Sequence, residues 1–169
     1  RNKFVFFTLD DLKNKILQIT NNEDLGAVLF ILFDLGARPS EFFNLRYKDI
    51  SYSEVDKKYL VEIPEETSKT YERKIKLWLT TSIMNHYLER NKFEDNDLIF
   101  IKKKGHIKKF LFEIKNKKEI KQITGKFDKN LTLYDFRHSS ACYYLNRYPA
   151  AKDMKYRFGW KKESEIEYY

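Results

Sequence analysis

The 169 residues carry 42% apolar and 17% aromatic side chains, enough for one domain with a packed core and too many for a disordered chain. No apolar run approaches the ~20 residues that a membrane helix needs, and the opening RNKFVFFTLDD lacks the long apolar stretch and small-residue cleavage site of a secretion signal. The single cysteine, Cys142, excludes an internal disulfide and fits a reducing compartment, while three scattered histidines (His86, His106, His138) argue against a structural zinc site.

The formal net charge is +8, and it is concentrated. Residues 102–129 hold eleven lysines against Glu113, Glu119 and Asp128, whereas the other 22 basic and 22 acidic residues cancel. A neutral body with one basic strip suggests a polyanion such as DNA or RNA. A solvated lysine-rich insert is the plain alternative. The chain opens on Arg1 rather than Met, so a fragment of a longer protein is expected.

In chain order, TLDDLKNKILQI (8–19) predicts a helix capped by Thr8, with Asp11 at the capping-box position and Leu9, Leu12, Ile16 and Ile19 on its apolar face. A second helix is predicted from about Asp24 to Leu35, closed by Gly36. Pro39 suits the first turn of a short third helix ending near Leu45. KKYLVEI (57–63) and RKIKLWL (73–79) read as a β-hairpin with Lys69 near its tip. TTSIMNHYLER (80–90) returns to helix, and DLIFI (97–101) is either a short strand or an extended segment. Ile107, Phe110, Leu111 and Ile114 keep helical spacing inside the lysine strip, which predicts one helix with a basic outer face. TLYDFRHSSACYYLNRY is strongly helical from Thr132, with Tyr134, Arg137 and Ala141 on one face and Cys142 as a buried, inert thiol. Pro149 opens a further helix that Gly159 closes, and a last helix starts at Ser164. The fold class is α+β, mainly helical, with a small antiparallel sheet beside the helices.

LFDLGARPSEFFNL poses the chemical question: a charged side chain, Arg38, at the joint between two apolar helices. A guanidinium at a helix start can clamp a phosphate through paired hydrogen bonds. It can equally pair with Glu41, three residues on. Taken with the rest of the chain, ARPSEFFNL resembles the first arginine motif of the tyrosine recombinases, the phage and viral-type integrase family. TSKTYERKIKL resembles that family's lysine-bearing hairpin, and LYDFRHSSA its His-x-x-Arg-His-Ser/Thr box. FGWKKESEIEYY resembles the closing segment, in which an aromatic or histidine precedes the nucleophilic tyrosine by nine positions, and Trp160 stands nine before Tyr169. Four motifs occur in the family's order, from about Leu9 to Tyr169.

The resemblance implies site-specific cleavage and rejoining of double-stranded DNA at att-like sites through a 3′-phosphotyrosyl intermediate, with no cofactor and no metal. It assigns Tyr169 as nucleophile, Arg38 and Arg137 as the clamp on the non-bridging oxygens, and Lys69 as proton donor to the leaving 5′-oxygen. Lys74 and Lys76 are weaker candidates than Lys69 because they lie within the strand, and only spacing favours Tyr169 over Tyr168. Tyr134 stands where the family usually has histidine. A phenol is a poor general base at neutral pH, so Tyr134 either hydrogen-bonds the phosphate or packs. Trp160 replaces the commoner second histidine and could offer its indole N–H to the phosphate while packing against the tyrosine segment. Glu41 is expected to buttress the arginine and His138 to be structural, which leaves the proton acceptor unassigned. The resemblance further implies that residues 1–169 are the catalytic domain, without the N-terminal DNA-clamping domain and C-terminal tail. It also implies a tetramer on DNA and a location in the cytoplasm or nucleoid of a prokaryotic host. A DNA-binding module descended from an inactive integrase and a topoisomerase-like nick-and-reseal enzyme are the alternatives.

Overall fold

A computed structural model describes residues 4–125 and 128–169; Arg1 and the Lys126 part of the basic strip fall outside them. Helix α1 (Leu9–Asp11) starts with the expected capping box: Thr8 Oγ1 accepts the Asp11 N–H at 3.0 Å, and the Asp11 carboxylate accepts the Thr8 N–H at 3.1 Å. It passes into a π-helical turn, Leu12–Ile16, which keeps Leu12 and Ile16 fully buried. Helix α2 (Glu23–Leu35) is capped by Asn22 and closed by Gly36 at φ 63°. Nine of the thirteen residues of α2 are buried, because it is the central helix, packed against α4 (Thr81–Asn91), α5 (Lys104–Glu113) and α7 (Leu133–Leu145). Helix α3 (Pro39–Phe43) follows directly, and its Phe42 ring stacks on Phe100 at 4.3 Å.

The predicted hairpin is present as β2 (Lys58–Ile63) and β3 (Arg73–Lys76), but it is two strands of a three-stranded antiparallel sheet. The additional strand, β1 (Ile50–Ser53), pairs Ile50 with Val61 and Ser53 with Lys58. It buries no residue fully, so ISYS carries little of the alternation that marks a strand. DLIFI is neither a strand nor extended throughout: Leu98 forms one isolated bridge with Arg46, Ile99 and Phe100 bend into the core, and Ile101 opens a 3₁₀ turn. The lysine strip forms two helices rather than the single one predicted, α5 and α6 (Lys118–Thr124), separated by a turn after Ile114. Ile107, Leu111, Ile114 and Ile120 face inward while Lys102, Lys108, Lys109, Lys117 and Lys118 are exposed.

Helix α7 opens on a second capping box, between Thr132 and Asp135. Helix α8 (Ala151–Phe158) ends at Gly159 with φ 67°, and a 3₁₀ segment (Glu163–Tyr168) replaces the predicted terminal helix. Ala141, Tyr144, Met154, Phe158 and Trp160 form a small second core under this end of the chain. The two cores are joined through Asp34 near the end of α2, fully buried. Its carboxylate accepts from Leu79 N–H (2.8 Å), Thr80 N–H (3.0 Å), Thr80 Oγ1 (2.8 Å), the Tyr144 hydroxyl and Arg157 (3.2 Å). The opening stretch lies along α7, with Val5 N–H on Asp135 Oδ1 (3.1 Å) and Phe7 N–H on Ser139 Oγ (3.0 Å). Among the described residues no helix is long and apolar enough to cross a membrane.

Candidate active site

Three chain reversals meet at one point: the end of α2, the β2–β3 connection and the end of α8. Gly36 turns α2 through a left-handed conformation and delivers Arg38 to the N-cap of α3. Glu41, one turn into α3, is completely buried and collects the surrounding donors. It accepts from Arg38 N–H (3.1 Å), Arg38 Nη1 (3.3 Å) and Lys69 N–H (3.0 Å). It also binds Arg73 in a fork, at 2.9 and 3.2 Å. Of the two sequence readings of Arg38, the pairing with Glu41 is present, and its other nitrogen donates to the Gly159 carbonyl at 2.9 Å. Burial pushes the Glu41 carboxyl up, but Arg73 and the two backbone donors outweigh it and hold the group at about 2.

Arg137 is 5% exposed and donates to the Gly36 and Phe158 carbonyls, each at 2.7 Å. Burial, followed by repulsion from Arg38 and Arg73, pulls its pKa down to about 9, still above neutral pH. Three guanidinium groups against a single carboxylate leave excess positive charge, held by backbone carbonyls rather than neutralised. An anion would relieve that imbalance. Arg73 is the member that the sequence reading passed over. It is 1% exposed and also donates from Nε to the Arg157 carbonyl at 3.1 Å. The signal was available, since residues 73 and 75 share the inward face of β3, buried residue 77 continues the alternation just past it, and one of the three is charged.

Lys69 sits exposed in the β2–β3 connection, with its backbone anchored on Glu41. The same connection is tied to the end of α8, Thr70 Oγ1 to the Gly159 carbonyl at 2.8 Å and the Tyr71 hydroxyl to the Lys155 carbonyl at 2.6 Å. Lys76 is engaged elsewhere, on Asp56 at 3.0 Å and over the Trp78 ring. Tyr134 does not join the arginines. Although it shares a helix stripe with Arg137, it is 49% exposed in the first turn of α7, on the rim of a groove with Pro39, Lys104, Lys108 and Phe112.

At the chain end, Tyr169 is half buried and Tyr168 is 59% exposed. The Tyr169 ring stacks on Trp160 (5.8 Å, 10°), which stacks in turn on Phe158 (5.4 Å, 21°). Burial pushes the Tyr169 hydroxyl up to about 12 against the opposing pull of Arg137. That hydroxyl is hydrogen-bonded to Nδ1 of His138, the histidine expected to be merely structural. Cys142 is half buried rather than fully so, and burial raises its thiol. The structure thus brings Arg38, the Lys69 backbone, Arg137, Trp160 and Tyr169 to one end of α8. It adds Arg73, Glu41 and His138, and leaves Tyr134 on the flank.

A half-buried tyrosine near the chain end lies beside a preorganised cationic cluster, on a helical domain with a three-stranded sheet. The chain belongs to the phage integrase family, whose profile matches residues 7–169. No curated protein sequence matches it. Among solved structures it is similar to the XerA recombinase (TM-score 0.70, 16% identity, 98% of this chain and 58% of that one). It is also similar to the XerH site-specific recombinase bound to its difH substrate before cleavage (0.69, 16%, 96% and 49%). A lambda integrase tetramer bound to a Holliday junction is similar as well (0.58, 15%, 98% and 50%). The chain spans about half the length of these relatives, and at such identities the likeness is one of fold.

Proposed function

We propose that this chain carries the catalytic machinery of a site-specific DNA recombinase that cuts and rejoins double-stranded DNA through Tyr169. The observation that supports it most is the excess positive charge of Arg38, Arg73 and Arg137 held against a single carboxylate beside a half-buried tyrosine. In this reading the scissile phosphate occupies the face of Arg38 and Arg137, whose hydrogen bonds strengthen as charge builds on the non-bridging oxygens. Tyr169 Oη attacks phosphorus and the 5′-oxygen leaves with a proton from Lys69. Trp160 keeps the tyrosine ring in place by stacking. The exposed lysines of α5 and α6 lead the DNA backbone toward the groove beside Pro39 and Tyr134. Att-like sites, assembly of four protomers on DNA, and action in the cytoplasm or nucleoid of a prokaryotic cell complete the proposal.

The test is covalent trapping on a random-sequence DNA pool whose scissile bonds carry sulfur at the 5′-bridging position, a leaving group that needs no proton from Lys69. The expected result is a protein–DNA adduct that survives Tyr168→Phe and disappears with Tyr169→Phe. Salt-sensitive binding with no adduct would instead identify a DNA-binding module without turnover.

A further inference from the structure

The strand-transfer reading leaves one proton without a destination. Tyr169 must lose its hydroxyl proton as it attacks, and burial makes that loss harder. Most titratable groups nearby are unsuited to receive it. The Glu41 carboxylate is saturated by Arg38, Arg73 and the Lys69 N–H. Tyr134 lies on the flank and is half exposed. Cys142, one turn further along α7 from His138, has its thiol raised by burial and keeps its own proton.

We infer that His138 is the proton acceptor for Tyr169: its Nδ1 is already hydrogen-bonded to the reacting hydroxyl, in a pocket that the opening stretch of the chain closes. Phe4 packs against the imidazole, and Phe6 sets its edge against both the imidazole and the Tyr169 ring. That stretch is pinned to α7 on either side of His138, through Asp135 and Ser139. His138 accepts through Nδ1 when the ring proton is on Nε2, and that is the tautomer the transfer requires. Burial and then the adjacent Arg137 pull the imidazole down to about 4. It is therefore neutral, and able to take a proton, throughout the physiological range. The other charged or titratable groups acting on the pair are Cys142 on α7 and Glu165 and Tyr168 on the terminal segment.

This rests on the strand-transfer reading above. In cleavage the Tyr169 Oη–P bond forms as the P–O5′ bond breaks; the phenol proton passes to His138 Nδ1 and the 5′-oxygen takes one from Lys69. In rejoining, the 5′-hydroxyl attacks phosphorus and returns its proton to Lys69, while His138 gives its proton back to the departing phenolate. No proton is gained or lost over the cycle.

The experiment is a single-turnover pH–rate profile of adduct formation on the 5′-bridging sulfur DNA pool, using the full-length protein. Wild type should be flat from about pH 5 upward, with an acid limb centred near pH 4, where His138 becomes protonated. His138→Gln should be slower by about 10²-fold or more at pH 7, with a rate that climbs roughly tenfold per pH unit because the phenol must now ionise unaided. Salt-dependent DNA binding and the melting temperature serve as controls for folding. In His138→Ala, added imidazole should restore rate in proportion to its free base. A His138→Gln profile parallel to wild type, or a wild-type profile without the acid limb, overturns the inference. Absence of any adduct from wild type overturns the strand-transfer reading itself, a distinguishable failure.

Discussion

Glu41 does more at the residue scale than buttress one arginine. It is the counterion of a fully buried guanidinium, Arg73, and the acceptor that fixes the backbone on both sides of the site. Removing its charge strands Arg73 in the interior. Glu41→Gln is therefore expected to cost about 3 kcal/mol or more, measured by urea unfolding at pH 7. Folding stability should also be acid-sensitive in two windows. The Glu41 carboxyl ionises at about 2 in the folded chain against an ordinary 4.5, so its contribution is complete above 4.5 and is lost as pH falls through 2. His138 is held at about 4 against 6.5. The unfolded chain takes up that proton first, and stability drops between pH 6.5 and 4. Unfolding curves across pH should lose the lower window in Glu41→Gln and the upper one in His138→Gln. An unchanged lower window in Glu41→Gln would refute the assignment.

At the scale of elements, the end of α8 is the hinge on which the site is assembled. Gly159 occupies the left-handed region at φ 67°, its carbonyl accepts from Arg38 and Thr70, and a Cβ there would stand 2.5 Å from the Arg73 guanidinium carbon. Gly159→Ala is expected to destabilise the fold by about 1–3 kcal/mol and to slow adduct formation, although no reacting group is removed. Gly26→Ala is the matched comparison. It lies inside α2 with only an ordinary 3.6 Å contact to meet, so it should be neutral or stabilising by about 0.5–1 kcal/mol. Equal losses in the two variants would show that the close approach to Arg73 does not matter.

Over the whole molecule, charge and packing divide the labour. The Asp34 network couples the main core to the small core beneath Tyr169, so the segments that carry the arginines and the tyrosine are joined through one buried carboxylate. The basic face of α5 and α6 supplies the long-range attraction. Replacing Lys108 and Lys109 with Gln should flatten the dependence of DNA affinity on salt, by about 0.9 in the log–log slope for each phosphate no longer neutralised. Fluorescence anisotropy from 50 to 200 mM salt measures it. An unchanged slope would return the strip to its plain reading as a solvated insert.

Much of the fold was legible because local rules act alone in it. The capping box at Thr8, the helix that starts at Thr132, the glycine stops at Gly36 and Gly159, and the alternation in β2 and β3 follow from a few neighbouring residues. The strand β1 and the break between α5 and α6 were not legible, because pairing with a neighbour and a turn after Ile114 decide them. In the site, motif order and spacing pointed to Arg38, Lys69, Arg137, Trp160 and Tyr169 by resemblance. They gave no measure of depth, so Tyr134 and Arg137, three residues apart, looked equivalent, yet one is half exposed and the other buried. The sequence by itself determined the family, the helical stops and the kinds of side chain present. Only the tertiary structure decided that Arg73 is the buried strut, that Glu41 gathers three segments and that His138 meets the Tyr169 hydroxyl. Glu41 and Arg73 stand 32 positions apart in the chain, and His138 and Tyr169 stand 31 apart. Burial and charge placement across such separations exist only once the chain has closed on itself.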